Sequence, residues 1–138
     1  MATIIQEVVF KNTKTSQLYQ LYMDATLHGM ITNSKVTIGE KPGSKLKVFD
    51  GYITGKTLQT VKNKLVVQQW FGADWGQGAE DSVFVLSFEQ KGKDAVLNVF
   101  HGNVPDDKAA GLDKGWHDHY WEPWKMYLAG REIKRPGK

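Results

Sequence analysis

The feature of this sequence that most restricts its fold is a run of short β-type segments between residues 36 and 101. Each segment is rich in β-branched and aromatic residues and is followed by a turn signal such as Pro42-Gly43. Consecutive short strands joined by tight turns are typical of an antiparallel meander. Asp50-Gly51 in particular predicts a type I′ hairpin turn, because that turn needs positive φ at both central residues. The predicted strands lie at residues 36–38, 46–49, 52–60, 65–71, 83–89 and 95–101.

The residues before the meander predict one further strand and two short helices. Hydrophobicity alternates over residues 4–10, as in a half-buried strand. Apolar residues recur at helical spacing over 15–23, after the polar residues 12–15 that favour a helix start. Residues 24–29 indicate another helical turn or two, ended by Gly29.

A long amphipathic helix is predicted over residues 113–131, after a loop at 103–107 that ends the sheet. Pro123 lies within this helix, where it removes one backbone hydrogen bond and predicts a kink or local widening. The apolar positions of the helix form a single stripe. They are Trp116, Tyr120, Trp124, Tyr127 and Leu128.

These elements predict an α+β protein in which a curved sheet of about seven antiparallel strands wraps on the C-terminal helix. A sheet of this size twists and curls, and the last helix is the only predicted element able to cover its concave face. The 138 residues fit one domain. We place that domain at residues 1–131 and expect a flexible basic tail at 132–138.

Three stretches resemble the START-like, or SRPBCC, helix-grip proteins. Within them, the chain resembles the C-terminal domain type of the activator of heat shock protein 90 ATPase family. The stretches are GSKLKVFDGYITG at residues 43–55, LVVQQW at 65–70 and GWHDHYWEPWKMYL at 115–128. They are similar to the family's hairpin ending in G-x-x-x-G, its strand that reaches a tryptophan, and the G-W opening of its final helix. Pro42-Gly43-Ser44 departs from the Gly-Gly pair that many members carry there.

A long helix laid across a curved sheet leaves a space between them where the side chains do not interdigitate. Such spaces are mostly apolar and are the default site for a small molecule. The same aromatic residues could also be plain core, because large rings dominate cores whether or not anything binds. The candidate lining residues are Trp116, Tyr120, Trp124 and Tyr127 on the helix, and Trp70 and Phe49 on the sheet.

Trp75 lies in the unusual glycine-rich loop at residues 72–78. It could cover the mouth of the cavity or contact another protein, since an exposed tryptophan without a role is uncommon. Alternatively, it folds back as an ordinary anchor.

The sequence offers little for catalysis or metal binding. It contains no cysteine, no nucleophile elbow, no phosphate-binding glycine loop and no zinc-protease motif. His117 and His119 are two residues apart and point to different sides of a helix, while His28 and His101 lie in distant segments. Glu122 is the best-placed carboxylate, but Lys125 beside it favours a surface charge. We therefore expect no metal and no cofactor, and we favour a protein without enzymatic activity.

The net charge of +3 does not indicate nucleic-acid binding, because much of the surplus falls in the C-terminal tail. The N-terminus shows neither a signal peptide nor a membrane span, so we expect a cytoplasmic protein.

Three functions follow from the sequence and the resemblance. The first is non-enzymatic binding of a small hydrophobic or amphipathic ligand, such as a lipid, between sheet and helix. The second, implied by the family, is a co-chaperone that modulates the heat shock protein 90 ATPase in the stress response. The chain begins directly at its first strand, without the N-terminal domain of eukaryotic members, which makes this the runner-up. The third is a cyclase-like or aromatase-like enzyme, by fold analogy alone.

Overall fold

The computed structural model describes residues 1–134, as one curved sheet that packs against helices on its concave face. The last four residues of the predicted basic tail lie outside this range. The six strands are β1 (Ala2–Phe10), β2 (Lys45–Val48), β3 (Ile53–Val61), β4 (Leu65–Gly72), β5 (Ser82–Lys91) and β6 (Asp94–Val104). They are antiparallel throughout, in the order β1-β6-β5-β4-β3-β2. The predicted helix-grip fold is confirmed.

The segment at residues 36–38 is not a full strand, so the sheet has six strands instead of about seven. Thr37 exchanges two backbone hydrogen bonds with Lys47, at 3.0 and 2.9 Å, and forms one isolated bridge. The chain then turns back on itself, where the Ser44 N–H donates to the Lys41 carbonyl. Three residues between a helix and a turn are too short for a ladder.

Two helices follow β1: α1 (Thr15–Met23) and α2 (Ala25–Thr32). Helix α2 continues past Gly29, where the sequence placed its end, and stops at Asn33 in the left-handed conformation with φ 55°. Gly29 serves packing instead, because a Cβ there would lie 2.7 Å from the Ser34 carbonyl oxygen. A glycine near a helix end can thus indicate close approach of the backbone as well as a C-cap.

The C-terminal helix begins at Asp106, seven residues before the predicted start, and ends at Leu128 instead of residue 131. It comprises α3 (Asp106–Trp116), a π-helical segment (His117–Trp121) and α4 (Glu122–Leu128). Pro105 precedes the helix, and two aspartates occupy its first turn. Such residues favour a helix N-terminus.

The π-helical segment is the local widening that Pro123 predicted. The Glu122 N–H bonds to the His117 carbonyl five residues earlier, and Pro123 follows in the first turn of α4. A π turn contains one extra residue, which rotates everything after it by about 100° relative to a regular helix.

Gln6 connects this helix to β1 at the edge of the core. Its Nε2 donates to the Asp113 carboxylate at 2.7 Å, and its Oε1 accepts from the Trp121 indole at 2.7 Å. Trp121 is fully buried, although it lies outside the predicted apolar stripe. Trp121 is the last residue of the π-helical segment, and its bond to Gln6 joins that segment to β1.

Candidate functional site

A cavity of about 420 Å³ lies between α3, the turn that joins β2 to β3, and β4. Its wall is mainly apolar, and six of the lining residues are Phe, Trp or Tyr. The lining residues are Phe49, Tyr52, Ile53, Trp70, Trp75, Asp107, Lys108, Gly111, Leu112, Gly115, Trp116, His119 and Tyr120. Size and lining fit the usual description of a small-molecule pocket.

Two glycines on successive turns of α3 help to keep this space open. Gly111 and Gly115 both line the cavity. A Cβ at Gly111 would meet no atom within 4 Å, and one at Gly115 would meet only the His119 ring, at 3.8 Å. Glycine inside a helix costs about 0.5–1 kcal/mol relative to alanine. Neither glycine is required by crowding, so side chains here would fill space that the fold leaves empty.

The inner wall consists of packed aromatic rings. Trp116 stacks on Phe84 with ring centroids 4.2 Å apart and an interplanar angle of 3°. Trp70 and Tyr120 each lie 4.8 Å from Trp116, at tilted angles. These spacings suit aromatic contact, so the wall is rigid before anything binds.

The polar atoms of this wall are already bonded on the core side. The Trp70 indole donates to Gln68 Oε1 at 3.2 Å, and Tyr120 Oη lies 2.8 Å from His28 Nε2. At Trp70, Trp116 and Tyr120 the ring faces are what the wall offers, because their donors are engaged elsewhere.

His28 and His101 are buried in the core with opposite tautomers. The Tyr22 carbonyl lies 2.8 Å from His28 Nδ1, so that nitrogen carries the proton. Nδ1 of His101 accepts from the Trp116 indole at 3.2 Å, so its proton is on Nε2. Burial lowers the pKa of each imidazole to about 4, and in His28 the bond to the Tyr22 carbonyl opposes that shift.

Ser82 and His101 lie 2.7 Å apart, like a nucleophile and its base, but the proton positions exclude that role. The protonated Nε2 of His101 donates to Ser82 Oγ, and Ser82 in turn donates to the Trp70 carbonyl at 2.7 Å. A general base must instead accept the hydroxyl proton. Both side chains are fully buried, and the pair is structural.

Phe49 reaches the cavity from a strained turn. Its φ is 55°, and Asp50 and Gly51 follow at 57° and 88°. The last two values confirm the predicted type I′ turn, whereas a left-handed phenylalanine costs about 1–2 kcal/mol. The Phe49 ring packs edge-on against His119 at 5.7 Å. Strain of this kind is often found next to functional sites.

The loop at residues 73–81, here called the Trp75 loop, closes one side of the cavity. Trp75 is only 6% exposed and packs on Phe71 at 5.5 Å. Its neighbour Asp74 accepts a hydrogen bond from the Tyr52 hydroxyl and another from Lys108 Nζ at 3.2 Å. The loop is thereby joined to the β2–β3 turn and to α3.

Of the six predicted lining residues, the structure brings four to the cavity: Phe49, Trp70, Trp116 and Tyr120. Trp124 is fully buried in the core, between Phe10 and Trp121. Tyr127 is 40% exposed, away from the cavity. Both follow the π-helical segment, whose extra residue turns them off the stripe that regular helical spacing predicts. Whether the other four contact a ligand stays a prediction.

Sequence reasoning missed the part of the cavity that α3 supplies before residue 113. Lys108, Gly111 and Leu112 belong to this part. They lie between the predicted loop at 103–107 and the predicted helix start at 113, where no element is predicted from the sequence. Pro105 and the aspartates after it were the available signal of an earlier helix start.

Among the residues that the structure describes, no group of three or more His, Asp or Glu side chains could hold a metal ion. Within the same range, none of the helices has the length and apolar character needed to cross a membrane.

Comparison with known proteins agrees with the fold. Activator of 90 kDa heat shock protein ATPase homolog 2 from Mus musculus is 24% identical over 117 residues, which are 85% of this chain and 35% of the mouse protein. The chain thus spans about a third of that relative's length. A crystal structure of PFC0360w, an HSP90 activator from Plasmodium falciparum, superposes with a TM-score of 0.82 at 19% identity, covering 91% of this chain and 96% of that one.

The Aha1 dimer from Colwellia psychrerythraea, solved in solution, has a TM-score of 0.73 at 16% identity and covers 99% of this chain and 100% of that one. Residues 12–129 match the sequence pattern of the family described as Activator of Hsp90 ATPase homolog 1-like protein. The resemblance seen in the sequence is confirmed, and the chain belongs to this family.

Proposed function

We propose that this protein binds a small apolar or amphipathic molecule in the cavity between its sheet and its C-terminal helix, without transforming it. The observation that carries the proposal is a cavity of about 420 Å³ that is lined both by packed aromatic rings and by Gly111 and Gly115. A helix that needed only stability would carry alanine at these two positions. In this proposal residues 1–131 act as one binding domain.

The side chains around the cavity favour binding over chemistry. Ser82 and His101 have the wrong proton arrangement for nucleophilic attack, and the donors of Trp70, Trp116 and Tyr120 are engaged in the core. A cyclase-like reaction therefore gains no support from these residues.

Binding can be tested with N-phenyl-1-naphthylamine, an uncharged dye whose emission rises in apolar surroundings. We expect saturable enhancement with the wild-type protein. Gly115→Leu should weaken dye binding at least tenfold, because the new side chain fills the cavity. Ala110→Leu is the matched control, since Ala110 is exposed on the same helix and does not line the cavity. The absence of saturable binding, or equal loss in both folded variants, would contradict the proposal.

A second candidate function is regulation of the Hsp90 ATPase, favoured by the family match over residues 12–129 and by the mouse relative's name. The mouse protein is about three times as long as the matched region, so its activity comes to this chain only as a proposal. The test is the steady-state ATPase rate of purified Hsp90 with increasing amounts of this protein, alongside direct binding by calorimetry. An unchanged rate together with undetectable binding would exclude this function. Ligand binding and chaperone binding are compatible.

A further inference from the structure

Three elements meet at the cavity mouth through the carboxylate of Asp74. The β2–β3 turn contributes the hydroxyl of Tyr52, and α3 contributes Lys108, whose Nζ lies 3.2 Å from Asp74 Oδ2. Both donors line the cavity, and each binds a different oxygen of the same carboxylate. The mouth therefore already contains a two-donor carboxylate site, occupied by a side chain of the protein itself.

The electrostatics of these donors favour an anion. The Tyr52 hydroxyl, and after it Lys108, lower the pKa of Asp74. Burial and the neighbouring Asp74 raise the pKa of Tyr52 to about 12, so its hydroxyl stays a donor at neutral pH. A hydroxyl and an ammonium placed together prefer a charged oxygen acceptor over a neutral one.

The closed position of the Trp75 loop leaves a buried donor unsatisfied. Trp75 Nε1 has no hydrogen-bond partner within residues 1–134. The indole packs directly on Gly72, where a Cβ would lie 2.1 Å from Nε1. Burying a donor without a partner costs free energy that is recovered when the donor reaches water. The two bonds to Asp74 help to hold the loop in this position.

The ion pair that closes the mouth is weak enough to exchange. Asp74 is exposed, and a surface pair of this kind contributes little net stability because water and salt screen it. Replacing one carboxylate by another leaves the number and type of bonds to Tyr52 and Lys108 unchanged. A ligand with a carboxylate can therefore compete with Asp74 at little cost.

We propose that the ligand is a carboxylic acid with an apolar body, and that its carboxylate displaces Asp74 from Tyr52 and Lys108 and so releases the Trp75 loop. This inference rests on the proposed ligand-binding function and names the chemical class of the ligand. The apolar body lies against Trp70, Trp116 and Tyr120, while the carboxylate takes the two donors at the rim.

A second carboxylate at the cavity mouth, that of Asp107, would repel an anionic ligand. Asp107 also lines the mouth, but it is exposed in the first turn of α3, where solvent screens it. Asp74 and Asp107 could instead favour a cationic ligand, but such a ligand would have to remove Lys108 from its partner. Comparing ligands that differ only in the charge of their polar group therefore distinguishes a carboxylate ligand from a cationic one.

The test is calorimetric titration at neutral pH with three probes that share one ring system: 2-naphthylacetic acid, its neutral amide and 2-naphthylethylamine. In the wild type the carboxylate should bind at least fivefold more tightly than the amide. Lys108→Met should reduce this preference to below twofold, because the carboxylate loses its charged donor. Asp74→Asn should strengthen carboxylate binding about fivefold, because the competing carboxylate is gone. Lys114→Met is the matched control, an exposed lysine of α3 that pairs with Asp118 outside the cavity.

Each contrary outcome is informative. Equal binding of acid and amide, or a preference for the amine, overturns the carboxylate inference but leaves the proposed ligand binding intact. Unchanged carboxylate affinity in folded Asp74→Asn overturns the displacement step. Failure of all three probes overturns the inference as well, and the uncharged dye then decides whether the cavity binds ligands.

Discussion

The indole Nε1 of Trp116 donates a hydrogen bond to Nδ1 of His101 across 3.2 Å, which connects the cavity wall to a buried imidazole on β6. The bond exists only while His101 is neutral, because a protonated Nδ1 would set one donor against another. His28 holds Tyr120, the next ring of the wall, in a similar way at 2.8 Å. The wall therefore depends on two neutral histidines.

Acid should destabilise the protein through these two residues. The unfolded chain takes up a proton on each imidazole near pH 6.5, whereas the folded chain does so only near pH 4. Between these values the unfolded state binds more protons, so the free energy of unfolding falls as the pH falls. We expect a loss on the order of 2 kcal/mol per histidine, measured by urea denaturation between about pH 7 and about pH 4.5.

His101→Gln should lower the free energy of unfolding at neutral pH. It should also remove about half of the fall in this free energy between about pH 7 and about pH 4.5. His117→Gln is the control, because His117 is a partly exposed histidine of the same chain and not one of the two buried imidazoles. A free energy of unfolding that stays constant across this pH range would refute the assignment of buried neutral histidines.

Replacing Gly55 and Gly111 by alanine should change the stability of the protein in opposite directions. At Gly55 on β3, a Cβ would lie 1.9 Å from the backbone oxygen of Gln69 on β4, and the backbone cannot move aside without breaking the ladder. We expect Gly55→Ala to destabilise by about 3 kcal/mol or more. At Gly111 the space is open, so Gly111→Ala should stabilise by about 0.5–1 kcal/mol.

Thermal and urea unfolding of both variants measure whether the stability falls in Gly55→Ala and rises in Gly111→Ala. Gly111→Ala should also leave dye binding nearly unchanged, because a methyl group occupies little of the cavity. A destabilised Gly111→Ala would mean that close packing requires the glycine. That result would contradict the argument that Gly111 leaves space for a ligand.

The sheet could be predicted from the sequence because its signals are local. The Asp50-Gly51 turn and the alternation in β1 depend only on neighbouring residues. The predicted strand at 36–38 formed only an isolated bridge, because a strand also needs length to form a ladder and a turn follows soon after it.

The site was predicted only in part, because its geometry depends on a change of helical register. Trp116 and Tyr120 lie before or within the π-helical segment and reach the cavity, whereas Trp124 and Tyr127 come after it and do not. Pro123 signalled the widening, but the sequence does not say which residues a π turn rotates. The contacts of Asp74 with Tyr52 and Lys108 join residues far apart in the chain and have no local pattern.

Gln6 should prove more important than its place on a strand suggests. Gln6→Leu leaves the buried Trp121 indole without its acceptor and the exposed Asp113 carboxylate without one donor, so we expect a loss of about 1–3 kcal/mol in the free energy of unfolding. Glu7→Leu, on the exposed side of the same strand, should change it by less than about 0.5 kcal/mol. Urea denaturation of both variants measures the difference, and equal effects would show that the Gln6 bonds contribute nothing.

Gly72→Ala should open the Trp75 loop. The added Cβ would lie 2.1 Å from Trp75 Nε1, and the loop can move more readily than the end of β4. In ¹H–¹⁵N spectra, the Trp75 indole resonance, assigned with Trp75→Phe, should lose its protection from exchange with water. Binding of N-phenyl-1-naphthylamine should become faster, because the mouth is uncovered. Ala73→Ser, an exposed change in the same loop, is the control. A Trp75 indole that stays protected in folded Gly72→Ala, with unchanged dye kinetics, would show that the loop does not cover the cavity.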